Sequence, residues 1–270
     1  MTLWPCDLLD ESGLRTALEA IQPEVIYHVA GDASLRLRQF DAALAGVTES
    51  IDRNIRPSVN LFVAAATARL PALRLLIRIG GLEEYGRGPI PYREDQREEP
   101  VSPYSASQTA VTHYLQMLAP RLPFRVLTVR PAVIYGPGQS AQFLIASLIQ
   151  HCLQNRDFPL GSPNHYREFA YVEDLIDALA LMLDRELPSG EIINIGTGKE
   201  HLVGDVAALI IRLTGAVIHV LPGSPARAQQ VAHLWISVEK AEKLLGWRAT
   251  IELEEGLKRT IAWFRSQAAT

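Results

Sequence analysis

A tyrosine and a glutamine four residues apart carry the most chemical information in this sequence. Tyr104 and Gln108 lie in the segment Ser-Pro-Tyr-Ser-Ala-Ser-Gln, residues 102–108. A phenolate can remove a proton from a hydroxyl group, but an unperturbed phenol titrates near ~10, so only about one in a thousand is ionised at neutral pH. A cation four residues further along a helix would share its face and favour the phenolate. Gln108 donates hydrogen bonds but has no charge, and the four lysines of the chain all come after residue 198.

The composition is that of an ordinary globular protein. The chain has 270 residues, of which 48% are hydrophobic, and a formal net charge of −4. Acidic and basic residues are interspersed without a polybasic stripe, so we expect neither nucleic acid nor a membrane as a partner. Cys6 and Cys152 have no metal-like or redox spacing. Because the sequence also lacks a signal-like N-terminus and a long apolar run, it predicts a location in the reducing cytoplasm.

The first half of the chain alternates between two hydrophobic periods. Short apolar runs at residues 25–30, 73–79 and 124–130 predict strands, whereas residues 52–69 and 104–121 have the period of helices. Strands that alternate with helices are typical of parallel sheets. The sequence therefore predicts an α/β fold with a doubly wound, Rossmann-like parallel sheet in residues 1–140.

The second half has a less regular pattern, which predicts a smaller mixed α/β lobe in residues 141–270. Its predicted elements are helices at 142–154 and 173–183, strands at 169–172 and 192–195, and two helices within 238–267. We expect some of these elements to return to the first sheet. Gly246 and Trp247 break the terminal helices, since glycine suits a helix end and tryptophan an apolar anchor.

Eight segments occur in the order found in one protein family. They are residues 23–31 (PEVIYHVAG), 54–61 (NIRPSVNL), 84–86 (EYG), 102–107 (SPYSAS), 130–138 (RPAVIYGPG), 167–174 (REFAYVED), 194–198 (NIGTG) and 244–247 (LLGW). On these segments the chain resembles the NAD-dependent epimerase/dehydratase group of extended short-chain dehydrogenases, from about Cys6 to the C-terminus. The resemblance implies a substrate lobe for a nucleotide sugar and NAD as the cofactor.

The resemblance implies hydride transfer of the UDP-glucose 4-epimerase type at sugar C4, with a tyrosine, a serine or threonine, and a lysine. Tyr104 matches the tyrosine, whereas Gly81 takes the serine or threonine position and Gln108 the lysine position. Glu83 matches a glutamate that the sugar 4,6-dehydratases use for elimination. An equally weighted alternative is that Glu83 and Glu84 are exposed loop carboxylates.

The resemblance also assigns binding residues. The implied cofactor positions are Asp7, Leu8, Ala30, Gly31, Asn54, Tyr104, Gln108 and Pro131. The implied substrate positions are Glu83, Val133, Arg167 and Arg227. Surface solubility is the alternative role for both arginines, and a place at a helix N-terminus is the alternative for Asn54. We expect His28, in an apolar strand, to be a hydrogen-bonded core or near-surface residue.

The glycine-rich turn that cradles a dinucleotide pyrophosphate is not found in this sequence. No G-x-G-x-x-G occurs, and the glycines at 136–138 and 196–198 are expected to form turns. The match begins at the family's third strand, which places strand 25–30 at a sheet edge. That run is too apolar for an open edge. We therefore expect either that a partner covers it or that the natural polypeptide begins further upstream.

Three hypotheses for the function follow. The first is an NAD-dependent nucleotide-sugar epimerase or dehydratase, and the second is a non-catalytic relative that binds a nucleotide sugar or pairs with an active paralogue. The third is a structural subunit without a small ligand. The resemblance further implies a homodimer with a four-helix interface made of residues 52–69 and 104–121.

Overall fold

The computed structural model describes residues 2–33, 43–223 and 231–268. The chain divides into two compact units. Unit 1 consists of Met1–Arg87, Arg97–Arg130 and Arg185–Ile193. Unit 2 consists of Gly88–Gln96, Pro131–Asp184 and Asn194–Thr270.

Unit 1 contains a four-stranded sheet, except for the last residues of two of its strands, which belong to unit 2. The strands are β1 (Val25–His28), β2 (Leu75–Ile79), β3 (Arg125–Pro131) and β8 (Glu191–Ile195), in the spatial order β1, β2, β3, β8. β1 pairs in parallel with β2, and β2 pairs in parallel with β3. The carboxyl ends of these three strands therefore lie at the same edge of the sheet, where open α/β sheets bind their ligands.

In the described part of unit 1, four α-helices accompany this sheet. They are α1 (Glu11–Ile21), α2 (Ala43–Ser50), α3 (Arg56–Thr67) and α4 (Pro103–Leu118). A π-helical turn, Ile51–Ile55, joins α2 to α3, and short 3₁₀ turns cover Leu82–Glu84 and Ala119–Arg121. Asp10 caps α1 by accepting a hydrogen bond from the backbone of Gly13.

The core of unit 1 lies between α1, α3, α4 and the sheet. Leucine, alanine, valine and phenylalanine side chains from these elements form one buried cluster. Its members include Leu14, Leu18, Leu61, Phe62, Leu76, Val111, Leu115, Phe124 and Val126. The burial of these apolar side chains stabilises the packing of α4 against the strands.

Unit 2 contains short strands and longer helices. The strands are β4 (Val133–Tyr135), β5 (Phe158–Leu160), β6 (Tyr166–Arg167), β7 (Phe169–Tyr171), β9 (His201–Leu202), β10 (Val220–Pro222) and β11 (His233–Leu234). Over the residues that the structure describes, they form three small sheets, ordered β10-β5, β11-β6-β9 and β4-β7. The helices are α5 (Leu144–Leu153), α6 (Val172–Leu183), α7 (Val203–Thr214), α8 (Glu239–Leu245) and α9 (Leu253–Ala268).

Most predicted elements are confirmed. A parallel sheet with helices is present, and the predicted helices and strands of both halves appear within a few residues of their expected bounds. Gly246 ends α8 with a positive φ of 67°, and Trp247 is buried, as expected. Gly138 and Gly198 likewise have positive φ angles, consistent with turns.

The structure corrects three details. β1 ends at His28 instead of Ala30, and the predicted helix at 52–69 begins with the π-helical turn. Helices α1, α2 and α7 were not predicted. Within the described residues β1 pairs with β2 alone, so it is the edge strand that the sequence predicts, and Tyr27 within it is 41% exposed. Which chain segment covers that edge stays a prediction.

No helix in the described part of the chain is both long and apolar enough to cross a membrane.

His28 is the buried titratable residue of β1. Its Nε2 lies 2.8 Å from Ser58 Oγ, and the Ser58 hydroxyl donates to the carbonyl of Asn54. Since that hydroxyl proton is used, Nε2 of His28 is the donor in its bond to Ser58. Burial, together with the charge of Arg78, lowers the pKa of His28 to about 4. His28 is therefore the hydrogen-bonded core histidine that the sequence predicts, and it is neutral in the folded chain.

This lowered pKa makes the chain sensitive to acid. The unfolded chain binds a proton at His28 near pH ~6.5 and the folded chain near pH 4, so stability from this residue is present above ~6.5 and lost as the pH falls to 4. We expect the free energy of unfolding to fall by up to about 3 kcal/mol from this residue over that range. Denaturant unfolding of wild type and His28→Gln at several pH values measures it. Equal slopes for the two proteins would contradict this assignment.

Candidate functional site

Helix α4 holds Tyr104 and Gln108 on one face. Ser102 caps this helix, because its hydroxyl accepts from the backbone of Ser105, and Pro103 takes the first turn, where no backbone donor is needed. Tyr104 and Gln108 follow one turn apart and are 6% and 8% exposed. The sequence thus places a buried phenol and a buried amide beside each other at the start of a helix.

The Gln108 side chain is oriented by a cation from the sheet. Arg78, on β2 and fully buried, donates through Nη2 to both the carbonyl and the side-chain Oε1 of Gln108. A guanidinium has no acceptor, so the amide must present Oε1 to Arg78 and its Nε2 elsewhere. Nε2 finds no acceptor among the described residues and lies 3.9 Å from the point that a Cβ on Gly31 would occupy. An amide donor therefore faces the segment that follows β1.

Two guanidiniums surround one buried carboxylate behind this amide. Glu84 Oε1 accepts from Arg78 Nη1 at 2.9 Å, and Oε2 accepts from Arg130 Nε at 2.9 Å. Thr112 accepts from Arg78 and donates to Glu84 Oε2 at 2.7 Å. Arg130 also binds Glu98 at 2.6 Å. Burial alone would raise the pKa of Glu84, but the charges of Arg78 and Arg130 outweigh it and hold that pKa below its usual value.

The prediction that Glu84 could be an exposed loop carboxylate is wrong, because Glu84 is fully buried in this ion cluster. Glu83 beside it is half-buried in the 3₁₀ turn. Gly81 precedes the turn and donates its N–H to Glu84 Oε1. Its φ of −171° is extended backbone that any residue adopts, so the conformation does not require glycine there.

Asn54 ties the segment after β1 to helix α4. It lies buried in the π-helical turn, where its Oδ1 accepts from the backbone of Asp32 at 2.7 Å and its Nδ2 donates to Ser107 Oγ at 3.1 Å. The alternative role of Asn54 at a helix N-terminus is therefore wrong. A π-helical turn often marks a functional site. Ala30 and Gly31, in the segment that Asn54 holds, are exposed.

The remaining cofactor positions lie at separate places. The exposed Asp7 accepts from the backbone of Leu9 in a turn, and the carbonyl of the half-buried Leu8 accepts from Asn60 on α3. Both belong to unit 1. Pro131 ends β3 and belongs to unit 2.

The predicted substrate residues of unit 2 are only partly placed. Arg167, on β6 and half-buried, donates to the carbonyls of Tyr166 and Ala232 and to Nδ1 of His165. Burial, the Arg167 charge and His233 lower the pKa of His165. Val133 begins β4, is half-buried, and donates its N–H to the carbonyl of Glu168. Arg227 lies outside the described residues.

Sequence reasoning missed Arg78. A signal was present, since β2 reads Leu-Leu-Ile-Arg-Ile and a charge in such an apolar strand must be paired when it is buried. The periodicity could not show what it pairs with. Its partners are Glu84 in the 3₁₀ turn, six residues away, and Gln108 and Thr112 on α4, which are 30 and 34 residues away.

The groups beyond the carboxyl end of β1 have the chemistry that a ribose hydroxyl requires. The free Gln108 donor suits a ribose hydroxyl, and a Cβ at Gly31 would meet only ordinary contacts, 3.5 Å from Asn54 Oδ1. These groups lie with Ala30 and Gly31 beyond the carboxyl end of β1. What the arrangement can do chemically is to bind a hydroxylated ligand and to move a proton with Tyr104.

Comparison with known proteins bears on this site. The model of the family described as "NAD dependent epimerase/dehydratase family" matches residues 2–196, more than half of the chain. A UDP-glucose 4-epimerase of Mycolicibacterium smegmatis is 27% identical over 97% of this chain and 82% of its own length. A human dTDP-D-glucose 4,6-dehydratase is 26% identical over 96% of this chain and 73% of its own length.

The fold comparison agrees with the sequence comparison. The crystal structure of Thermus thermophilus UDP-glucose 4-epimerase in complex with NAD is similar to this chain, with a TM-score of 0.84 and 25% identity. The similarity covers 96% of this chain and 83% of that one. With the sheet, the Tyr104 helix and the family match in agreement, this chain belongs to the NAD-dependent epimerase/dehydratase family.

Proposed function

We propose that this chain binds NAD and a nucleotide sugar and carries out UDP-glucose 4-epimerase-type hydride transfer at sugar C4, slowly at neutral pH. The observation that carries the proposal is the buried pair of Tyr104 and Gln108 on α4, with the amide donor of Gln108 directed towards the segment after β1. We place this activity in the cytoplasm, where thiols such as Cys6 and Cys152 stay reduced.

The relatives support the choice of ligand class. The mycobacterial relative is a UDP-glucose 4-epimerase, and the Thermus relative was crystallised with NAD. The human relative is a dTDP-D-glucose 4,6-dehydratase, so it also acts on a nucleotide sugar. A nucleotide sugar is therefore the substrate class that we assign to this chain.

The cofactor positions implied by the family would hold NAD. Gln108 would donate to a ribose hydroxyl, Ala30 and Gly31 would give the dinucleotide room, and Asn54 would keep their segment in place. Asp7 and Leu8 would contact the adenosine end, and Pro131 the nicotinamide end. When bound, NAD supplies a hydride acceptor that takes the hydrogen of sugar C4 and later returns it.

Tyr104 is the proposed base of the reaction. Its phenolate would take the proton of the C4 hydroxyl, so that C4 becomes a carbonyl as its hydride leaves, and the phenol would return the proton in the reverse step. Gly81 supplies no hydroxyl to share that hydrogen bond. Gln108 supplies no charge, and the nearby guanidinium of Arg78 is neutralised by Glu84. We therefore infer that phenolate formation limits the rate at neutral pH.

We assign the sugar nucleotide to Val133, Arg167 and Arg227, with Glu83 as an additional acid or base. A guanidinium suits paired phosphate oxyanions because its donors form a planar fork. Arg167 donates to two carbonyls and one imidazole nitrogen, which would have to give way to a diphosphate.

A non-catalytic role is the second candidate. It is favoured by Gly81 and Gln108, because two of the three side chains that the family uses for hydride transfer are replaced at once. Such a relative would bind a nucleotide sugar or dimerise with an active paralogue without turnover.

We also propose that the chain forms a homodimer through the helices at 52–69 and 104–121. Tyr114 and Met117, three residues apart on α4, are 46% and 50% exposed. Residues at this spacing share a helix face, and exposed aromatic and methionine side chains are enriched in interfaces.

The catalytic proposal predicts a steep pH dependence. If Tyr104 acts without a neighbouring lysine, turnover of UDP-glucose to UDP-galactose should increase by up to about tenfold per pH unit above neutrality until the phenol, whose ordinary pKa is ~10, is ionised. Initial rates with added NAD between pH 7 and 10 measure this dependence.

Tyr104→Phe is the control for that experiment, because it removes the hydroxyl and keeps the ring. We expect it to abolish turnover at every pH while NAD still binds. Binding of NAD and of UDP-glucose by wild type without turnover at pH 10 would reject the epimerase and support the non-catalytic relative.

The dimer proposal predicts a change in mass. Two carboxylates on the proposed interface, Tyr114→Glu with Met117→Glu, should convert a dimer to a monomer in sedimentation velocity, because desolvating like charges opposes association. Val217→Glu, on an 89% exposed residue of unit 2, is the matched control and should leave the mass unchanged. A monomeric wild type would contradict the proposal.

A further inference from the structure

A single buried arginine fixes the orientation of the residue that replaces the family's lysine. We propose that Arg78 is a positioning residue, which holds the side-chain amide of Gln108 as a hydrogen-bond donor to a ribose hydroxyl of the bound dinucleotide. This inference rests on the proposed function for the identity of the ligand. On this inference, Gln108 on α4 donates to the ribose, and Arg78 on β2 holds Gln108 in the orientation that allows it.

Arg78 sets the direction of the Gln108 side-chain amide. A free glutamine amide can rotate by half a turn and present either its oxygen or its nitrogen to a ligand. Arg78 removes this choice, because Nη2 donates to Oε1 as well as to the Gln108 carbonyl. Nε2 is then directed to the side of Gly31, where the described residues offer it no acceptor. A ligand oxygen on that side can accept from Nε2 without displacing a protein partner.

Buried hydrogen-bond partners hold the guanidinium of Arg78 in place. Nη1 donates to Glu84 Oε1 and to Thr112 Oγ1, so both ends of the guanidinium are fixed by buried groups. Gly80 makes this possible, since a Cβ there would lie 2.1 Å from Glu84 Oε1 and 2.6 Å from Arg78 Nη1. The glycine after β2 is therefore part of the arrangement that holds Gln108.

Arg78 is incompatible with a lysine at position 108. A lysine ammonium offers donors alone, so it could not accept from Nη2 and would place a second cation against the guanidinium. Gln108 accepts from Arg78 and still donates to a ligand. With Arg78 as its partner, Gln108 keeps a hydrogen-bond donor at position 108. It lacks the positive charge that a lysine would have there.

The direct test separates the donor from the fold. Gln108→Glu keeps an oxygen for Arg78 and removes the amide donor, and Arg78→Met keeps the donor but releases its orientation. Loss of one such hydrogen bond weakens binding by about tenfold. We expect both variants to bind NAD at least that much more weakly than wild type in calorimetry, with unchanged affinity for UDP.

Val126→Ala is the control, because it opens the core of unit 1 on β3 without touching Arg78 or Gln108. It should lower the melting temperature and leave the dissociation constant for NAD unchanged. If wild type binds NAD and both variants bind it equally well, the positioning role is overturned while the proposed function stands. If folded wild type does not bind NAD, the cofactor assignment of the proposed function fails, and this inference with it.

The pairing also predicts a stability effect that needs no ligand. Gln108→Lys should lower the melting temperature by more than about 5 °C, because it buries a cation beside Arg78. Adding Arg78→Met should recover part of that loss, since the lysine can then bind Glu84 in place of the guanidinium. Additive effects of the two changes in thermal unfolding would show that the side chains do not interact, and would overturn the inference.

Discussion

The carboxylate of Glu84, buried between the guanidiniums of Arg78 and Arg130, is the interaction on which the centre of unit 1 depends. Charged groups pay a desolvation cost of several kcal/mol each when they are buried, and only close partners offset it. Removing this carboxylate would leave the buried Arg78 without its carboxylate partner and Arg130 with Glu98 alone. The same group binds Thr112 on α4 and the backbone of Gly81. One side chain thus ties a strand end, a tight turn and a helix together.

The ion pair of Glu84 and Arg78 determines which side chain can occupy position 108. Because Arg78 is held by Glu84, it is available to orient Gln108, and because Gln108 must accept from Arg78, its position does not tolerate a lysine. The phenol of Tyr104 is presented one helical turn away without that lysine. The result is a family member that preserves a donor for a dinucleotide ribose but does not supply the charge that favours a phenolate. On the proposed function, dinucleotide binding and proton transfer would be separable in this chain, because no single residue would serve both.

The sequence predicted the elements better than their contacts. The strands β1 to β3 and the helix that carries Tyr104 and Gln108 follow from apolar periodicity, which is a local property. Arg78 was missed because its partners are about 6 to 34 residues away and meet it only through the fold. Asn54 was assigned to the site by resemblance, but the π-helical turn that buries it has no signal in composition. Glu84 was misjudged for the same reason, since a glutamate in a polar loop looks exposed until two arginines are placed beside it.

Calorimetric titration of NAD into the purified 270-residue chain is the most direct measurement, after denaturing extraction has shown that no dinucleotide co-purifies. We expect saturable binding of one NAD per chain, because Gln108, oriented by Arg78, would hold a ribose of the dinucleotide. A folded chain that takes up neither NAD nor NADH would contradict it.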